Sequence, residues 1–236
     1  MLRRREAIAS ILLTGSAAFF ITDDSPRLDK TIIDIGLGAK AVFLPDLHLH
    51  SENTQTNQLL SALDQEEPDA VVLGGDVVDE LTTDLGYVKK FLSELPGSEK
   101  FFVMGNHDYW SGYHVWLREN LQHLGFSEVR GGVESRYLGK IYGFDWSDDR
   151  VYEPLQAKGL VFAHDPHVAD SVSGDCLILA GHTHGGIVFN GVVILSNSRY
   201  TRGWYTWGSR RLYVSRGLGQ MLAYRPTSPR ELVVLV

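Results

Sequence analysis

The chain has 236 residues, of which 44% are hydrophobic, 11% aromatic and 22% charged. That balance excludes a disordered polymer, a collagen-like fibre and a polytopic membrane protein. One cysteine, Cys176, excludes a disulfide framework and a cysteine-rich zinc site, and the net charge of −7 argues against bulk electrostatic capture of nucleic acid.

The first segment stands apart. Arg3-Arg4-Arg5 precedes sixteen uncharged residues, Ala7 to Thr22. A basic start and a short apolar stretch read as an export signal or membrane anchor over residues 1–22, with a loose twin-arginine pattern. The stretch is shorter than the ~20 residues of a spanning helix. The expected location is therefore extracytoplasmic or membrane-associated, with a cytoplasmic protein carrying an amphipathic or disordered tail as the alternative. Residues 23–236 are expected to form one domain.

Strand and helix signals then alternate. Ala39 to Leu44 is a continuous apolar run and reads as a buried strand, with a helix expected over Asn57 to Glu66. A second strand, Asp69 to Leu73, stops at Gly74-Gly75. A helix over Leu85 to Leu95 ends at Pro96-Gly97. A third strand, Lys100 to Met104, leads to a helix over Tyr113 to Leu124. This βαβαβα pattern implies a parallel sheet with helical crossovers. The second half holds short strands with little helix: Lys140–Phe144, Gly159–Ala163, Cys176–Ala180, Ile187–Phe189, Val192–Leu195, Arg211–Ser215 and Glu231–Val236. Asn190-Gly191 between two apolar runs signals a hairpin. The economical α/β architecture is two packed sheets with helices outside.

Polar residues gather where the strands stop. The clusters are Asp46-Leu47-His48, Asp76-Val77-Val78-Asp79, Asn106-His107-Asp108, His164-Asp165-Pro166-His167 and His182-Thr183-His184. Each alone is compatible with a turn, a cap or a hydrogen-bonded core histidine. Five at successive strand ends jointly favour a metal site, because ligands of open α/β sheets bind at the carboxyl ends of strands. The donors are nitrogen and oxygen only, which suits Mn, Fe, Zn or Co. They are too many for one ion and suit two ions sharing a carboxylate. Two divalent ions against Asp46 and Asp76 leave a formal charge of about +2, matched to a phosphate ester.

In this order, Asp-x-His, Gly-Asp-x-x-Asp, Gly-Asn-His-Asp, a separate His and Gly-His-x-His resemble the calcineurin-like metallophosphoesterases. Finer features resemble a bacterial subgroup of exported phosphodiesterases and lipid A pathway (UDP-diacylglucosamine) pyrophosphatases. They are Asn106-His107-Asp108-Tyr109-Trp110, Ala163-His164-Asp165-Pro166, Gly181-His182-Thr183-His184-Gly185-Gly186 and Ser215-Arg216-Gly217-Leu218-Gly219. The resemblance implies a four-layer α-β-β-α sandwich of two facing mixed sheets. It implies one metal on Asp46, His48 and His184, a second on Asn106, His164 and His182, and Asp76 bridging them. It further implies attack by a metal-bridging hydroxide, with His107 assisting the leaving oxygen and Asp79 orienting His107.

Departures bear on the substrate. The second motif continues Asp79-Glu80-Leu81 and the third ends in Asp108, unlike protein serine/threonine phosphatases. Ile187 stands where the subgroup commonly has Gln. The segment between Phe144 and Leu160 is short for the subgroup, and such connections shape substrate pockets. The role of His167 stays open. From Cys176 to Arg230 there are seven arginines and no Asp or Glu. Most read as solvated guanidiniums with stems packed over sheet edges. Arg202 and Arg216, beside glycines near the expected mouth, are the candidates for holding a second phosphate, a nucleotide or an anionic lipid headgroup. The partner is thus a phosphate ester, nucleotide-linked or lipid-linked, with a membrane surface compatible and a long nucleic acid not. The reaction is hydrolysis of a phosphodiester or pyrophosphate; a phosphomonoesterase, a nuclease and a non-catalytic scaffold are the alternatives.

Overall fold

A computed structural model describes residues 27–220 and 227–236. The signal or anchor expected over residues 1–22 lies outside the described residues, as does Arg225. Among the described residues no helix is long and apolar enough to cross a membrane.

The first half builds β1 (Leu28–Ile33), β2 (Ala41–Leu44), α1 (Thr54–Glu66), β3 (Ala70–Gly74), α2 (Leu85–Glu94), β4 (Glu99–Val103), α3 (Asn106–Trp110), α4 (His114–His123) and β5 (Phe126–Glu128). The second holds β6 (Val133–Ser135), β7 (Gly139–Phe144), β8 (Leu155–Gln156), β9 (Gly159–Ala163), a 3₁₀ helix (Pro166–Asp170), β10 (Val172–Ser173) and β11 (Cys176–Ala180). It closes with β12 (Ile187–Phe189), β13 (Val192–Leu195), β14 (Gly203–Trp207), β15 (Arg210–Val214) and β16 (Arg230–Leu235).

Two six-stranded sheets result, ordered β1-β16-β2-β3-β4-β5 and β14-β15-β11-β9-β7-β6. The β2–β3–β4–β5 pairings are parallel, as the crossover pattern requires, while β16 enters antiparallel to β2. In the second sheet β15, β11, β9 and β7 run parallel, with β14 and β6 antiparallel at the edges.

The continuous apolar strands exist because both of their faces are buried. Successive side chains alternate, so Ala41 and Phe43 of β2 face the second sheet while Val42 and Leu44 face the helices. Between the sheets Phe43, Val72, Phe101, Ile141, Phe162 and Leu179 pack together, with the Phe43 and Phe162 rings 5.7 Å apart. Burying each such side chain is worth ~1.5–3 kcal/mol. Helices α1, α2 and α4 cover the outer face of the first sheet through Leu59, Leu63, Phe91, Leu92, Leu117 and Leu121. The outer face of the second sheet is covered by the 3₁₀ helix and the short β8–β10 ladder.

Three features differ from the sequence expectation. Helix α1 starts at Thr54, three residues early, because Asn53 caps it in a reciprocal box with Thr56. Asn106 opens helix α3. Edge strand β1 carries too little apolar alternation to be read, and it forms by parallel pairing with β16.

Candidate metal centre

The five polar clusters converge between the two sheets. Asp46 and His48 follow β2, Asp76 and Asp79 follow β3, and Asn106 and His107 open α3 after β4. From the second sheet, His164 follows β9 and His182 and His184 follow β11. Two groups have ligand atoms within 4.8 Å of one another: Asp46, His48 and His184, and Asp76, His164 and His182.

The hydrogen bonds around the imidazoles decide which nitrogens point inward. His48 Nδ1 is 2.8 Å from Asp79 Oδ2, His164 Nδ1 is 3.0 Å from the Gly74 carbonyl, and His184 Nδ1 is 3.1 Å from the Gly219 carbonyl. An oxygen acceptor on Nδ1 draws the proton there and leaves Nε2 with a lone pair. In all three residues Nε2 then faces carboxylates: His48 Nε2 and His164 Nε2 lie 3.7 and 3.2 Å from Asp76 Oδ2, and His184 Nε2 lies 3.9 Å from Asp46 Oδ1. His164 Nε2 is also 3.0 Å from Asn106 Oδ1 and 3.1 Å from His182 Nδ1. Imidazole nitrogens and carboxylate oxygens converge here around a position that a cation can fill.

Two atoms expose this directly. His48 Nε2 and Asp76 Oδ2 are buried and have no hydrogen-bond partner. Orphaned buried polar atoms cost ~1–3 kcal/mol each and require an explanation. Nitrogen and carboxylate oxygen donors fit transition-metal cations, and Asp76 Oδ2 lies between the two groups. Burial disfavours the His164 cation, yet Asp76 and Asp46 raise its pKa to about 10. Carboxylates that hold that proton so firmly can hold a metal cation in its place.

The backbone is bent to serve this geometry. Asp46, His48, Asp76, His182 and His184 all have φ between 44° and 73°, the left-handed region that non-glycine residues rarely occupy. Gly105 permits the approach of Asp76, since a Cβ there would lie 2.2 Å from Asp76 Oδ1. Asp108 ties the loops together: its carboxylate accepts from the amides of Asp76, Val77, Val78 and Gly105. Burial and the neighbouring Asp76 carboxylate push Asp108 up to about 7, against those four amides.

Residues 39–186 match the calcineurin-like phosphoesterase family. The chain belongs to that family. A metallophosphoesterase of Campylobacter jejuni is 28% identical over 91% of this chain, which spans 63% of that relative's length. Phosphodiesterase YaeI of Escherichia coli is 26% identical, over 83% of this chain and 81% of its own. A solved archaeal phosphodiesterase aligns with 75% of this chain and 84% of its own, at 17% identity and a TM-score of 0.46.

Two of the expected site residues meet other partners in the structure. Asp79 does not orient His107. Its Oδ2 is taken by His48 Nδ1 and, at 2.7 Å, by His50 Nε2, and these imidazoles hold it well below the usual carboxylate range despite burial. His107 Nδ1 instead meets Glu80 Oε2 at 2.6 Å. Asp79 turns inward because its neighbour Leu81 donates its amide to Oδ1 and Thr82 bonds the Asp79 amide, curling the chain away from His107. Arg216 is not free for substrate either. Its guanidinium lies 3.1 Å from Asp29 and 3.4 Å from Glu231. Arg202 sits beside Ser228 Oγ and Gly185, and among the described residues it has no ion pair.

Sequence reading passed over the segment after β7. Asp145, Trp146, Asp148 and Arg150 lie in the stretch identified only as short. A cavity of about 420 Å³ beside the ligands is lined by Asp76, His107, Trp110, Trp146, Arg150 and Asn197, among others. Asp148 Oδ1 accepts from both indoles, Trp146 at 2.8 Å and Trp110 at 3.1 Å. Arg150, at φ 53°, stacks over Trp146 and places Nη2 2.6 Å from His182 Nε2. Buried Asp165 anchors it at 3.5 Å and is also 3.0 Å from His167 Nδ1, which gives His167 a partner. The only signal for Arg150 was its place in a pocket-shaping connection.

Proposed function

We propose that this chain is a dinuclear metal-dependent phosphoesterase that hydrolyses a phosphodiester or pyrophosphate bond. One observation carries the reading: buried Asp76 Oδ2, which accepts no conventional hydrogen bond, lies 3.7 and 3.2 Å from His48 Nε2 and His164 Nε2. Asp46, His48 and His184 would hold one ion, and Asn106, His164 and His182 the other, with Asp76 shared. Mn, Fe, Zn and Co all suit the donors. When bound, such ions supply Lewis acidity and activate water. The similarity to a named phosphodiesterase supports the diester choice.

The chain's own residues divide the remaining work. Glu80 on His107 Nδ1 leaves Nε2 to serve the departing oxygen. Arg150, held by Asp165 and the Asn197 carbonyl, places a cation on the cavity wall that favours an anionic ester and braces the His182 ring. Arg202 supplies a second cation beside Gly185, which follows the candidate ligand His184 in the chain. Asp79 and the Gly74 and Gly219 carbonyls fix the ring orientation of His48, His164 and His184.

The test is elemental analysis of the purified chain alongside hydrolysis of bis(p-nitrophenyl) phosphate and p-nitrophenyl phosphate. Two ions per chain and faster diester hydrolysis are expected, with activity lost to chelators. One firmly bound ion in the active protein would overturn the dinuclear reading. Faster monoester hydrolysis would overturn the diester choice.

A further inference from the structure

Among the described residues, strands β12 and β13 pair only with each other. Their tip, Asn190-Gly191, has positive φ at both residues, the tight turn that suits a two-residue hairpin. Val192, Ile194 and Leu195 are 64%, 63% and 63% exposed, and Val193 is exposed as well. A two-stranded ribbon normally needs another layer for stability in water. Here consecutive residues on both faces of β13 are apolar and open to solvent, which marks an interaction surface and not a scatter of surface hydrophobes.

We propose that this hairpin docks into the surface of an anionic lipid bilayer. The charge pattern selects that occupant. No charged side chain lies between His184 and Arg199, and every formal charge from Cys176 to Arg230 is an arginine. The hairpin base packs on the start of the edge strand: a Cβ on Gly186 would lie 2.7 Å from Thr201 Cγ2, two residues before β14. That strand carries half-exposed Trp204 with exposed Arg211 stacked 5.8 Å over its ring. Arg202, also at the base, has no ion pair among the described residues. Arg199 and Arg216 are held by Asp170 and by Asp29 and Glu231, which leaves Arg202 and Arg211 without an ion pair among the described residues; an apolar tip, a tryptophan and these two arginines are the three parts of an interfacial anchor. A second copy of this face would oppose arginines to arginines.

Docking there has a consequence for the centre. A cavity of about 450 Å³, lined by His184, Gly186, Ile187, Leu195 and Ser228 among others, joins the hairpin base to a candidate metal ligand. A bilayer held by the hairpin would bring lipid phosphates to this cleft, a statement that rests on the phosphoesterase reading; the docking itself does not.

The experiment uses the full chain with Ile194→Cys, labelled with an environment-sensitive dye; Cys176, the sole native cysteine, is buried. Vesicles of equal parts phosphatidylcholine and phosphatidylglycerol should shift the dye to the blue, and brominated acyl chains should quench it. Phosphatidylcholine alone should give a several-fold smaller response. The double variant Val192→Asp/Ile194→Asp should bind the mixed vesicles at least about tenfold more weakly, yet hydrolyse soluble bis(p-nitrophenyl) phosphate as before, which shows it folded. A dye that stays unquenched while the chain sits on vesicles overturns the proposal, since another segment then does the binding. A dye already shielded without lipid also overturns it: dependence on protein concentration would indicate a second copy, independence the chain's own residues. Lack of hydrolysis of the soluble diester, with quenching intact, would refute the enzyme reading alone.

Discussion

Two buried polar clusters lie at ends of different strands of the same two sheets and have opposite characters. In one, Glu231 accepts from Thr31, Tyr213 and the Arg216 amide, and the Arg216 guanidinium spans Glu231 and Asp29. The Glu231 carboxylate is met from β1, β15 and the loop beyond, and its charge is balanced on site. In the other, Asp46, Asp76, His48 and His164 are equally buried, yet two atoms have no partner and most of the backbone there is left-handed. A closed network is complete as folded and acts as a clamp between strands. An open one is completed by something from outside, and the surrounding structure bears the strain of keeping it open.

Substitutions can break that contrast. Asp76→Ala should have the largest effect. It removes the one carboxylate shared by both groups, so metal content should fall for both ions and diester hydrolysis should drop by about 10³-fold or more, beyond the loss from a single transition-state donor. Elemental analysis with one ion retained would show that the groups are independent.

His107→Ala should keep both ions and lose about 10²–10⁴-fold on esters with poor leaving groups, with less loss for nitrophenolate. Glu80→Gln should give a milder form of the same pattern, because Glu80 touches His107 Nδ1. Equal losses across leaving groups would assign His107 to phosphoryl charge instead of proton donation.

Asp79→Asn sharpens the contrast further. Its carboxylate orients His48, so metal affinity should weaken by about 10–100-fold, measured by competition with a chelator. The leaving-group dependence should stay unchanged. If that dependence moves instead, Asp79 acts through His107 after all.

Glu231→Gln probes the closed cluster and should spare metal content. Burial raises the Glu231 pKa, but its hydrogen bonds and Arg216 outweigh this and hold it below the ordinary 4.5. A depressed carboxylate contributes stability that is present above pH 4.5 and lost as pH falls through the folded value. The variant should therefore cost about 1–3 kcal/mol at neutral pH and show a flatter decline of stability below pH 4.5. Denaturant melts across pH would reveal it, and an unaltered acid limb would remove Glu231 from the clamp.

The sequence carried much of this in advance where one segment suffices. The runs Ala41–Leu44, Gly159–Ala163 and Cys176–Ala180 are apolar at every position, or nearly so, because sheet burial on both faces admits nothing else. Motifs at strand ends were legible for the same reason: an abrupt change from apolar to Asp, Asn and His has few other uses. His50, Glu80 and Arg150 escaped because no local pattern distinguishes a histidine or arginine that reaches a site from one that faces water. Trp110 and Trp146 likewise show their joint hold on Asp148 only once α3 and the loop after β7 are brought together.

Local composition thus determined the crossover order, the polar strand ends and the acid-free basic quarter, since each depends on residues adjacent in the chain. Tertiary structure alone decided the partners. It gave Asp79 to His48 and His50, Glu80 to His107, and Arg216 to Asp29 and Glu231. It also left the β12–β13 hairpin, among the described residues, exposing the apolar side chains of β13. The physical reason is common to all of these. Periodicity states which face of an element is buried, whereas a charge finds its counterion among groups tens or hundreds of residues away, according to which strand ends the two sheets bring together.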